Sequence, residues 1–278
     1  MVREMNLMTN ESVRPSYVYK KKKTSSGIRY YVLTYKKARS NSKVIYFIHG
    51  GAFVYGIINL YKNFLYPFAR KGYKIILIDY DLVPEYVYPT QLIQCYDLYE
   101  EIVKKHDPSK IILGGDSAGG NLVLSLLLRL RDNRRPLPLK AFLISPWADM
   151  KGTGKSYYTN YGKDPIMGEY QKELTAKKAE YLKRSDLYDY VGKEARDNPY
   201  VSPCYGDYHD FCPLYFSAGG DEMLLDDTLS CVKKAREAQV PVTLDEVPYM
   251  FHTFVLYRDY FSEAKEAHKR LMKWVEQE

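Results

Sequence analysis

Six short apolar runs set the frame: "KVIYFIH" (43–49), "YKIILIDYDL" (73–82), "SKIILGG" (109–115), "LKAFLISPW" (139–147), "CPLYFSAGG" (212–220) and "VPVTLDEVP" (240–248). Most read as near-continuous apolar stretches, as strands covered on both faces do. Helix-patterned segments lie between them: one from "YPTQLIQCYDLYEEIVKKH", one beginning at Asn121 with "NLVLSLLLRLRD", then "DDTLSCVKKAREAQ" and the closing "YFSEAKEAHKRLMKWVEQE". "SYVYK" and "GIRYYVLTY" add a hairpin around "TSSG" at the start. This alternation predicts an α/β fold, with a mostly parallel central sheet of about eight strands flanked by helices. Ligand sites in such sheets gather at the carboxyl ends of the strands.

The length of 278 residues and the 46% hydrophobic content suit one large domain, 1–278, with a full core. One region breaks the rhythm. Residues 150–211 contain no convincing buried strand, but hold a helix-like "GEYQKELTAKKAEYLK", many tyrosines and "NPYVSP". A connection this long is usually functional, and it is read as a small cap inserted between two strands, over the site. No apolar run reaches the roughly 18 residues of a membrane span, and "MVREMNLMTNESVRP" lacks the apolar stretch of a secretory leader. The four cysteines (95, 204, 212, 231) form no CxxC pair, which fits reduced thiols in a cytoplasmic protein and argues against a zinc site. The net charge is +7, with its densest run in "KKKK" (20–23), read as a solvated hairpin tip and not a nucleic-acid patch.

Residues 115–119, Gly-Asp-Ser-Ala-Gly, match G-x-S-x-G. A chain of this length shows that pattern by chance about one time in ten, so the match alone decides little. Its setting decides more: a buried-looking strand runs in and an apolar helix leaves. That is the context of a nucleophile elbow, which exposes the hydroxyl of Ser117 on a tight turn. The helix N-terminus adds partial positive charge beside a developing anion. "HGGAF" (49–53) follows the strand "KVIYFI" one strand–helix–strand step earlier, where backbone N–H groups can serve as an oxyanion hole.

In this topology the order is Ser, then Asp or Glu, then His. His49 and His106 precede Ser117, His268 falls in a helical run and is expected at the surface, and His209 lies before the best-placed acid. His252 in "YMFHTF" remains as the base. Asp221, just past a strand end in "LYFSAGGDEMLLDD", is the expected acid. Glu222 is its main competitor, and Asp226 and Asp227 are expected to cap the next helix. "GTGKS" (152–156) lacks the first glycine of a phosphate loop, and "DYD" (79–81) lacks clustered histidines; both are read as structural.

Together "HGGAF" (49–53), "DYDLVPEYVYP" (79–89), "GGDSAGGNL" (114–122), "SPWADM" (145–150), "NPYVSP" (198–203), "GGDEMLLDD" (219–227) and "FHTF" (251–254) resemble the hormone-sensitive-lipase-like branch of the α/β-hydrolases, a group of carboxylesterases. The resemblance implies Ser117 as nucleophile, Asp221 as orienting acid and His252 as base. It places the oxyanion hole on the HGG loop and the N–H of Ala118. Within the loop, either Gly50 with Gly51 or Gly51 with Ala52 could donate, because Ala52 stands where many relatives have glycine. The expectation is a serine carboxylesterase acting on small, short-acyl esters through an acyl-enzyme, with no cofactor and no metal. Amide or peptide hydrolysis and deacetylation use the same triad, and a non-catalytic ligand receptor is the alternative from another class. A small ester is the expected partner, nucleic acid is not, and a homodimer is left open.

Overall fold

The computed structural model describes residues 14–39, 41–184 and 186–277; most of the stretch examined for a leader lies outside them. Eight strands form one sheet: β1 (Tyr17–Lys23), β2 (Arg29–Tyr35), β3 (Val44–Ile48), β4 (Lys74–Asp79), β5 (Ile111–Asp116), β6 (Lys140–Ile144), β7 (Leu214–Gly219) and β8 (Val242–Val247). Their spatial order is β1-β2-β4-β3-β5-β6-β7-β8. β1 and β2 pair antiparallel, as do β2 and β4; every pairing from β4 to β8 is parallel. The expected α/β sheet is therefore present.

Alternate side chains of the central strands feed two cores. Tyr46, Ile48, Leu113 and Leu143 pack on one face with α2 (Thr90–Val103), α3 (Ala118–Asp132) and α6 (Leu225–Glu237). Ile45, Phe47, Ile112 and Phe142 pack on the other with α1 (Asn59–Arg70) and α7 (Ser262–Glu276). Helix α1 carries Pro67 in its interior and was not among the expected helices. Its buried face of Tyr61, Phe64, Leu65 and Phe68 stabilises it in spite of the proline.

Among the described residues between β6 and β7 there are two α-helices, α4 (Ser156–Thr159) and α5 (Ala176–Arg184), with 3₁₀ turns at Asp186–Val191 and Pro203–Tyr205. The helix expected across 168–183 is thus much shorter.

Two surface expectations change. Lys20–Lys23 belong to β1 itself, paired opposite Val32–Arg29, while the turn is Thr24–Gly27. Lysines along a sheet edge discourage pairing with another chain. His268 is buried, wedged against Phe64 and Phe68, with Nε2 at 3.0 Å from the Phe64 carbonyl. One face of α7 turns inward, and His268 falls on it with Ala264 and Leu271. The "DYD" acids are structural: Arg29 donates to Asp79 at 3.1 Å and to Asp81 at 2.8 Å.

Candidate active site

β5 runs directly into Ser117, whose backbone adopts φ 51° and ψ −120° before α3 begins. A non-glycine residue at positive φ costs energy, and the surroundings must hold it. Here the Ser117 N–H donates to the Ile144 carbonyl at 2.9 Å, and its own carbonyl accepts from Trp147 and Asn121. The glycines of the motif answer to close approach. A Cβ at Gly119 would lie 2.0 Å from the Ile48 carbonyl oxygen, and one at Gly115 would lie 2.6 Å from that of Gly119. The elbow is packed against β3 and cannot admit side chains there.

His252, on the loop after β8, places Nε2 2.9 Å from Ser117 Oγ. Both residues are buried. Burial lowers the imidazole to about 4, against an opposing pull from the Asp164 carboxylate, so the ring is neutral near pH 7 and able to accept a proton.

The two candidate acids are placed differently. Asp221 turns outward, partly exposed, with its carboxylate 3.4 Å from Lys163 Nζ. Glu222 turns inward and is fully buried. Its Oε2 accepts from Ser145 Oγ at 2.6 Å and from the Gly219 N–H at 3.1 Å. Ser145 Oγ also accepts the N–H of Thr253, next to the histidine, at 3.0 Å. Glu222 Oε1 and His252 Nδ1 are each buried without a hydrogen-bond partner among the described residues. With Nε2 accepting from the serine, Nδ1 carries a proton, which makes it the donor that a carboxylate oxygen lacks. The structure therefore does not bring Asp221 to His252. The chain reverses after Gly219, with Gly220 and Asp221 donating to the Val247 and Met250 carbonyls, and the next residue is the one that points in. Burial pushes the Glu222 carboxyl well up, while the Ser145 hydroxyl and Gly219 N–H pull it down.

The loop after β3 is strained: Gly51, Ala52 and Phe53 all have positive φ, at 101°, 53° and 61°. Gly50 donates its N–H to Asp116 Oδ1 at 2.8 Å and is thereby engaged. The N–H groups of Gly51, Ala52 and Ala118 carry no acceptor among the described residues. Tyr80 stacks on His49 and donates to its carbonyl at 2.8 Å, bracing the loop from the side of β4.

Several residues at the centre were not singled out from sequence. Asp116 is the free position of G-x-S-x-G. Tyr61, on the unexpected α1, donates to its other carboxylate oxygen at 3.3 Å. Asp226 and Asp227 do not cap their own helix by side chain. Instead Asp227 accepts the N–H groups of Ala148 and Asp149, each at 2.8 Å, and Asp226 accepts that of Ser156 at 2.9 Å. Of the tyrosines in the 150–211 segment, Tyr157, Tyr161 and Tyr190 are buried and Tyr158 is exposed; the side chain of Tyr188 lies outside the described residues.

A strained serine after the central strand, a neutral histidine on its oxygen and a strained glycine loop after β3 define a serine-hydrolase type of centre. A family model for the alpha/beta hydrolase fold matches residues 45–256, and the chain belongs to that family. Within it the likeness runs to the hormone-sensitive-lipase-like esterases. An esterase of Acinetobacter venetianus is 32% identical over 84% of this chain and 74% of its own length. An acetyl-hydrolase of Streptomyces hygroscopicus is 29% identical over 84% and 75%. The crystal structure of an esterase from the bacterial hormone-sensitive lipase family superposes with a TM-score of 0.86 at 29% identity, covering 97% of this chain and 87% of that one. The chain is accordingly an enzyme of the esterase kind. No helix among the described residues is long and apolar enough to cross a membrane.

Proposed function

We propose that the protein hydrolyses small, short-acyl carboxylic esters through an acyl-enzyme, with Ser117 as nucleophile, His252 as base and Glu222 as the orienting acid. The observation that carries this reading is the 2.9 Å contact between His252 Nε2 and Ser117 Oγ at the strained elbow. As Ser117 Oγ bonds to the ester carbonyl carbon, its proton passes to His252 Nε2, and the carbonyl π electrons move onto oxygen. The oxyanion is received by the N–H groups of Gly51, Ala52 and Ala118, each such donor contributing about 3 kcal/mol. Collapse breaks the bond to the alcohol oxygen, which leaves with the proton from His252. Water then attacks the acyl carbon with His252 again accepting a proton, and Ser117 is released.

Glu222 takes the place expected of Asp221. Its unpartnered oxygen and the unpartnered Nδ1 complement one another, and a buried polar atom left unpaired costs about 1–3 kcal/mol. The acetyl-hydrolase relative supports a short acyl group. So does an esterase structure of 27% identity and TM-score 0.86, covering 98% of this chain and 88% of that one, from crystals soaked with p-nitrophenyl butyrate. Residues 150–211 are proposed as the cap above the pocket, held to the oxyanion loop where Tyr190 stacks on Phe53 at 3.6 Å. The test is Ser117→Ala. Turnover of p-nitrophenyl acetate and labelling by a fluorophosphonate should both vanish while the fold is retained; undiminished turnover would overturn the proposal.

A further inference from the structure

Side chains from the segment between β6 and β7 add a second set of bonds to the turn that carries Glu222. Asn160 Nδ2 donates to the carbonyls of Gly220 and Glu222, at 3.3 and 3.0 Å. Ser156 Oγ donates to the Met223 carbonyl at 2.7 Å. The Met223 N–H donates to Asp164 Oδ2 at 2.9 Å. Asp164 is fully buried, and its Oδ1 accepts the N–H groups of Ile166 and Met167 at 3.0 and 3.3 Å. These bonds orient the carboxylate on a rigid frame, one residue away from Glu222. Its charge acts on three groups of the centre at once: the His252 imidazole, the Glu222 carboxyl and the Tyr257 phenol. A carboxylate placed this way is more than a turn former. A buried negative charge stabilises an imidazolium relative to neutral imidazole, and that is the change His252 undergoes in the transition state.

We propose that Asp164 is a positioning residue of the catalytic centre: it fixes the Glu222 turn to the segment above the site and supplies a second, immobile negative charge for the imidazolium of His252. This deepens the reading given above and rests on His252 being the base. The groups around that ring are then Ser117 from the elbow, Glu222 from the turn after β7, Asp164 from the inserted segment, and Tyr257 from the 3₁₀ turn after the histidine loop. Coupling follows directly. Movement of the segment over the pocket moves the acid turn, because Asn160, Ser156 and Asp164 bond to its backbone.

The experiment compares Asp164→Asn, Asp164→Glu and Asn160→Ala with the unaltered protein. It measures kcat and kcat/KM for p-nitrophenyl acetate from pH 2.5 to 9, with circular dichroism at each pH. Asp164→Asn should lower kcat at least tenfold and move the acid limb to lower pH by about one unit, since loss of the anion makes the imidazolium easier to deprotonate. Asp164→Glu keeps the charge and should keep the limb while lowering kcat. Asn160→Ala changes no charge and should lower kcat without moving the limb. A folded Asp164→Asn variant whose limb stays in place would overturn the proposal. Should that variant not fold, a displaced limb in Asp164→Glu would overturn it equally. Glu222→Gln, run in parallel, separates the two readings: full activity there defeats the choice of acid, whatever the Asp164 variants do.

Discussion

Asp116 Oδ1 accepts the Gly50 N–H at 2.8 Å, so the residue preceding the proposed nucleophile holds the loop proposed to receive the oxyanion. The fit is close, because a Cβ at Gly50 would stand 2.3 Å from Asp116 Oδ2. Asp116→Ala leaves that N–H without its partner and frees the strained Gly51–Phe53 segment. The expected result is a fall in kcat of about 10²-fold, with KM little changed, as for loss of one oxyanion donor. Asp116→Asn retains an acceptor and should stay within about tenfold of the parent enzyme. Steady-state kinetics with one short-acyl ester check both; a change confined to KM would show that the loop's role is in binding.

The same aspartate gives a stability prediction. Burial raises its carboxyl to about 7 from the ordinary 3.8, outweighing the Gly50 N–H and Tyr61 hydroxyl that pull it down. The fold thus favours the protonated form. That contribution is fully present below about pH 4 and is lost as the pH rises through 7. Asp116→Asn has no such titration. Its stability relative to the parent should therefore increase by a few kcal/mol between pH 4 and pH 8, taking about 1.4 kcal/mol per pKa unit. Urea unfolding at the two pH values measures it, and a pH-independent difference would contradict the assignment.

For the acid, Glu222→Gln should reduce kcat by about 10³–10⁴, the loss typical when the orienting carboxylate of a triad becomes an amide. Asp221→Asn removes only a partly exposed ion pair with Lys163 and should change kcat less than about threefold. Pre-steady-state acylation rates with p-nitrophenyl acetate distinguish the two variants, and the reverse ranking would return the role to Asp221.

The choice between these neighbours shows where the sequence stops informing. The alternation of apolar runs specifies the sheet, because strands buried on both faces must be apolar throughout. The order of Ser117 and His252 around those strands singles out the pair that the structure places 2.9 Å apart. Which of two adjacent carboxylates points inward depends on a reversal after Gly219, fixed by bonds to Val247 and Met250 far along the chain. No local pattern encodes that. His268 failed for a related reason: a polar residue on the inward face of a helix looks exposed until Phe64 and Phe68 arrive against it. Helix α1 was hidden by Pro67, whose local penalty is outweighed by tertiary burial. The role of Asp116 escaped notice because its partner, the Gly50 N–H, is a backbone group with no signature in residue type.

The pH profile follows from burial of the base. The imidazole of His252 is lowered to about 4, and only its neutral form can accept the Ser117 proton. Activity should persist well below the ordinary histidine value and fall as the pH drops through about 4. Initial rates of an ester whose own chemistry is insensitive to pH test this. A limb at 6.5 or above would mean that the ring is more hydrated, or more strongly ion-paired, than the structure places it.

Tyr190 offers a test of how the segment between β6 and β7 seats on the Gly51–Phe53 loop. Its ring stacks on Phe53 with centroids 3.6 Å apart and planes within 3°, and both rings are fully buried. The Tyr190 backbone carbonyl also accepts the Tyr88 N–H at 2.7 Å. The phenol oxygen, however, has no hydrogen-bond partner among the described residues. Tyr190→Phe removes a buried, unpaired hydroxyl and keeps the stack, so it should raise stability by about 1 kcal/mol with activity unchanged. Tyr190→Ala removes the ring and should cost about 3–5 kcal/mol. Because Phe53 belongs to the strained loop, the alanine variant should also lower kcat, unlike a cavity made elsewhere in the core. Thermal unfolding and kcat measured on both variants check the pair, and a destabilised phenylalanine variant would show that the hydroxyl has a partner.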